Sequence, residues 1–145
     1  MSGLALLSEN YVRNPTIEAV PVTAEKLHLP VWTRNIEDRL VSFLSLEKGW
    51  DAYDAPPPDF DAVVAAFDLL MMISEDSTPA PQVVPTPNGG VQLEWHERGI
   101  DLEIEVRSEF QFDVFYENLR TGEVREEEIM ADLTPLRNWV GLLSQ

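Results

Sequence analysis

Three stretches of this chain alternate between apolar and polar side chains: VQLEWHE at 91–97, IDLEIEVR at 100–107 and FQFDVFYE at 110–117. A period of two places every second side chain on one side of an extended strand, and no helix can bury such a pattern on a single face. Val91, Leu93 and Trp95 then oppose Gln92, Glu94 and His96. Ile100, Leu102, Ile104 and Val106 oppose Asp101, Glu103, Glu105 and Arg107. Phe110, Phe112, Val114 and Tyr116 oppose Gln111, Asp113, Phe115 and Glu117. With a turn at Glu97-Arg98-Gly99, this predicts an antiparallel meander with one buried and one solvated face. Val83 and Val84, flanked by prolines, read as a short edge strand ahead of the Asn88-Gly89 turn. NLRTGE reads as a further turn and EVREEE as a weaker last strand, giving about four to five strands in all.

On either side of the meander the period is helical. Ile36, Leu40, Phe43 and Leu44 share a face of a helix expected from Thr33 or Asn35, as N-cap, to about Lys48, with Gly49 ending it. A second helix is expected from Asp59 to Ile73, facing inward through Phe60, Val63, Val64, Phe67, Leu70 and Met71. It is apolar on nearly all sides, so it is either largely buried or offers a second face to a partner. A last helix is capped by Asp132 or Thr134, has Pro135 in its first turn, and lines one face with Leu136, Trp139, Val140 and Leu143. The fold class expected is α+β, with two helices, the meander, and a C-terminal helix packed on one sheet face. The boundaries expected are an irregular, proline-broken segment at 1–32 and a single domain at 33–145. The first segment is too apolar for a solvated tail, so it packs on its own domain or docks on a partner, with Tyr11 a contact candidate.

Charge narrows the function. The chain carries 26 acidic and 10 basic residues, a net charge of −16. Residues 1–48 hold six acids and five bases, a net of −1; residues 49–145 hold twenty acids and five bases, a net of −15. Direct nucleic-acid binding is disfavoured, because phosphates require Lys and Arg. A basic protein partner is favoured; the competing reading is that the acidity serves only solubility. There is no cysteine, which excludes disulfides, a thiol nucleophile and Cys-ligated zinc. The opening residues do not read as a signal peptide, and no stretch reaches the length of a membrane span, so a cytoplasmic location is expected.

The solvated face of the meander gathers Glu94, Asp101, Glu103, Glu105 and Asp113, which we take as candidate partner-binding residues. Carboxylates two apart on a strand sit roughly 6.6 Å from each other on one face, and like charges at that density weaken a sheet. The face is thus either held for recognition or is an ordinary solvated face. Trp50, Asp51 and Tyr53, on the loop GWDAYDAPPP, form a second candidate. Two aromatics and an acid there make either a recognition element or a structural corner in which Asp51 bonds backbone amides. Neither the carboxylates nor His28 and His96 fall in the spacing of a catalytic pair or a metal site, and no nucleophile elbow or phosphate loop is present. No catalytic residue, metal or cofactor is therefore expected.

The strings LxxGWDAYDAPPP and PQVVPTPNGGVQLEWHERGIDLEIEV, over about residues 43–107, resemble a family of small bacterial proteins. Its shared pattern is GWDxYxAPPP, PxVxPTPxGGxxLEW and LEIE; this chain has Asp54 where the pattern usually has Gly. The resemblance implies a bacterial or phage origin and supplies no activity or catalytic residues. The function expected is non-enzymatic binding of the antitoxin, immunity or inhibitor type. The alternatives are a nucleic-acid mimic or a subunit of a defence assembly and, less favoured, a metal-assisted hydrolase. Partner identity and oligomeric state lie beyond this reading.

Overall fold

The computed structural model describes residues 29–108 and 111–145. The expectations for residues 1–28, Tyr11 included, and for Phe110 lie outside the described residues. The fold is α+β. Helices α1 (Thr33–Ser42) and α2 (Phe60–Ile73) precede strands β1 (Gln82–Pro85), β2 (Val91–Glu97), β3 (Ile100–Ser108), β4 (Gln111–Asn118) and β5 (Val124–Ile129), and helix α3 (Thr134–Leu143) closes the chain. The strands form one antiparallel meander in the order β1-β2-β3-β4-β5. Among the described residues, no helix is long and apolar enough to cross a membrane.

The alternation sets which side of the sheet is covered. Val91, Leu93, Trp95, Leu102, Ile104, Val106, Phe112, Val114 and Tyr116 are buried beneath a helical layer built mainly from Ala62, Val63, Ala66, Phe67, Leu70, Leu136 and Val140. Burying a tryptophan is costly unless its indole N–H finds an acceptor. Trp95 Nε1 donates to the Pro79 carbonyl at 2.9 Å, and Trp32 Nε1 donates to the Thr78 carbonyl at 2.8 Å. These bonds tie the α2–β1 connection to the core. Trp139 is half-buried and stacks on Tyr116, with ring centres 4.6 Å apart and planes inclined by 10°.

Two turns fix the register. Arg98 and Gly99 both take positive φ, 57° and 75°, as a two-residue antiparallel hairpin of the primed type requires. At the Thr86–Gly90 turn, Asp59 N donates to the Gly89 carbonyl at 2.9 Å, joining the hairpin to the start of α2. Gly90 lies so close to β3 that a Cβ there would sit 2.7 Å from the Val106 carbonyl oxygen.

Several sequence expectations are corrected. The first helix does not reach Lys48: its α-helical turns stop at Ser42 and a 3-10 turn continues only through Ser45, after which Leu46 is extended. Neither Thr33 nor Asn35 caps it. Trp32 occupies the cap position, and the Thr33 hydroxyl donates to the Pro30 carbonyl at 2.7 Å. Gly49 does have positive φ, but it shapes the following loop, where its N–H donates to the Ala55 carbonyl at 2.8 Å. Phe60 does not face inward: it stands 59% exposed at the first position of α2, and Leu44 is also exposed.

Candidate functional site

The side of the sheet away from the helices is open, and the register arranges its side chains in rows. One row runs Gln92, Glu105, Asp113, Glu128 across β2 to β5. The next runs Glu94, Glu103, Phe115, Glu126, and a third joins His96, Asp101, Glu117 and Val124. Directly opposed residues have Cβ atoms roughly 4.5–5.5 Å apart, so Glu94 against Glu103 and Glu105 against Asp113 are like-charge neighbours. Between the rows lies a groove of about 460 Å³ lined by Gln92, Glu103, Glu105, Asp113, Val114, Phe115, Glu126 and Glu127.

Specific contacts hold the repulsion in check. The Gln92 amide donates to Glu94 Oε1 at 2.6 Å and to Glu103 Oε1 at 3.3 Å, bridging one opposed pair. Arg107 spans the other, 2.5 Å from Asp113 Oδ2 and 3.6 Å from Glu105 Oε1. The shielding is local, because β5 brings Glu126 and Glu128 alongside on the same face, both exposed.

His96 lies at one end of the acidic rows, its side chain 44% exposed. Its Nδ1 is 3.0 Å from Asp101 Oδ1 and its Nε2 is 3.7 Å from Glu94 Oε2. The hydrogen bond to Asp101 raises its pKa above 6.5; partial burial opposes the rise, and the charges of Asp101, Glu94 and Glu103 add to it. Glu94, His96 and Glu103 each offer a ligand atom, all within 4.8 Å of one another. A hard cation held by these three residues would take its remaining oxygens from water. The carboxylates around His96 favour taking up a proton there, which competes with metal binding.

Glu94, Asp101, Glu103, Glu105 and Asp113 therefore share one face, and the groove joins Glu103, Glu105 and Asp113. The sequence reading did not single out Gln92, Phe115, Glu126 or Glu127. Phe115 had been placed on the solvated side, but β5 carries no alternation by which its carboxylates could have been assigned to the groove.

The loop candidates lie apart from this groove. Trp50 Nε1 donates to the Pro56 carbonyl at 2.7 Å. Asp51 Oδ1 accepts from the backbone N–H groups of Tyr53 and Ala55 at 3.0 and 3.2 Å. Both side chains brace the loop's own backbone, the corner geometry weighed from the sequence. Tyr53 is 84% exposed.

Comparison with protein-family models, with curated proteins and with solved structures gives no match for this chain.

Proposed function

We propose that this is a non-catalytic binding protein whose open sheet face docks a basic protein surface, in the manner of an antitoxin, immunity protein or inhibitor. The observation that carries the reading is the groove in which Glu103, Glu105, Asp113 and Glu126 converge. Clustering them weakens the sheet, so it calls for a compensating use, and a field of one sign attracts and orients a partner of the other. The test is titration with the protein encoded by the neighbouring gene. A complex that forms at low salt and is lost in the triple variant Glu103→Gln, Glu105→Gln, Asp113→Asn supports the reading; no complex at either low or high salt removes it.

The contiguity of the rows favours one variant of this reading. Carboxylates gathered in neighbouring rows suit a surface that otherwise takes nucleic-acid phosphates, so the protein would act as a mimic. In that case nucleic acid displaces it from its partner, and a failure to compete argues for a partner whose basic surface serves another purpose.

A further inference from the structure

The two edges of the sheet are unlike. At one end, β1 is four residues long and finishes on Pro85, which has no N–H to offer. Its Val83 carbonyl accepts from Arg39 Nε of α1 at 3.0 Å, so this edge is partly covered. At the other end, β5 runs for six residues without proline.

The β4–β5 turn shows which way the β5 backbone faces. Asn118 N donates to the Glu123 carbonyl at 2.9 Å and Gly122 N to the Asn118 carbonyl at 2.8 Å, so Asn118 occupies a hydrogen-bonded position of the ladder. Antiparallel pairs alternate between bonded and non-bonded. From the register Glu117↔Val124 onward, the backbone groups of Arg125, Glu127 and Ile129 turn towards β4. Those of Val124, Glu126 and Glu128 turn out of the sheet, and among the described residues no hydrogen bond reaches them.

A free edge is a template for another strand, and its charge selects which one. A second copy would set Glu126–Glu128 against the same carboxylates, a repulsive match. A strand rich in Arg or Lys meets the same residues as counter-charges. We propose that β5 takes an extended Arg/Lys-rich segment of the partner as a sixth strand. Its basic side chains lie over Glu126 and Glu128, one strand spacing of about 4.8 Å away, and reach towards Asp113 on β4. This rests on the docking reading above: the face supplies charge, and the edge adds backbone hydrogen bonds.

The test uses the full chain and two octapeptides of alternating Arg and Val, identical except that one is N-methylated at every residue, so that neither of its edges offers an N–H. Charge is the same in both, but the methylated peptide cannot complete a ladder. Binding is read by calorimetry at low salt, and the methylated peptide is expected to bind more weakly by about tenfold or more. A second arm compares Glu126→Pro with Glu126→Gln: both remove the carboxylate, but only proline removes the outward N–H, and no β4–β5 bond is lost. Proline should weaken binding well beyond glutamine. Equal binding of the two peptides overturns strand addition and leaves charge-driven docking standing. No binding of either peptide overturns the inference and counts against the docking reading as well.

Discussion

His96 shows how the acidic face acts on a single side chain. Its pKa is raised above 6.5, chiefly by the hydrogen bond to Asp101. A histidine raised on folding stabilises the fold fully below its unfolded pKa, and that contribution is lost as pH rises through the folded value. The stability difference between the natural chain and His96→Asn should therefore favour the natural chain near pH 5.5 and shrink through the window above about 6.5, as read from urea midpoints. NMR titration of the His96 ring should give a midpoint above 6.5, and Asp101→Asn should lower it; an unmoved midpoint would contradict the assigned cause. Gly90 makes a steric claim of the same scale. A methyl at Gly90 meets the backbone oxygen of Val106, which cannot swing aside, so Gly90→Ala should cost about 1–3 kcal/mol in chemical unfolding. A neutral result would mean that the β1–β2 turn relaxes freely.

The elements differ in how far their sequence announces them, and the difference follows from what covers them. Strands β2, β3 and β4 lie under helices, so inward positions such as Leu93, Ile104 and Val114 must be apolar and the alternation is plain. β5 lies at the sheet's edge. Its inward positions Arg125 and Glu127 are exposed, and only Ile129 is buried, so VREEEI carries almost no periodic signal. That is why half of the acidic groove was legible and the part contributed by Glu126 was not. Helix α2 fails to announce its orientation for the opposite reason: it is apolar on nearly every side, so the pattern could not say that Phe60 faces out while Ala62 and Ala66 face in. The end of α1 had no proline or glycine before Gly49 to mark it. The cost of the acidic rows also belongs to this scale. Removing one member of the Glu94–Glu103 pair by Glu103→Gln should stabilise the sheet by about 0.2–1 kcal/mol at low salt while weakening the binding of a basic partner. A loss of stability would instead mean that the Gln92 bridge outweighs the repulsion.

Across the chain as one molecule, folding and the docking proposed above fall on opposite sides of a single electrostatic balance. A net charge of −16, nearly all of it in residues 49–145, makes the folded state repel itself. The same field would draw in the basic partner proposed above. Added salt weakens both effects, since the screening length falls from roughly 30 Å at 0.01 M to about 3 Å at 1 M. Repulsion among the open-face carboxylates opposes folding, so screening should raise the melting temperature. Attraction to a basic surface favours association, so screening should weaken it, mainly by slowing the approach. The two curves should therefore run in opposite directions over one sodium chloride series, read by thermal denaturation and by association rate with the arginine-rich peptide. Neutralising the groove with Glu103→Gln, Glu105→Gln and Asp113→Asn should flatten both curves together, because one set of charges underlies both. If binding lost its salt dependence while the melting curve kept its slope, folding strain would come from acids elsewhere in residues 49–145. If the melting curve flattened and binding did not, the partner would be reading a different surface from the groove.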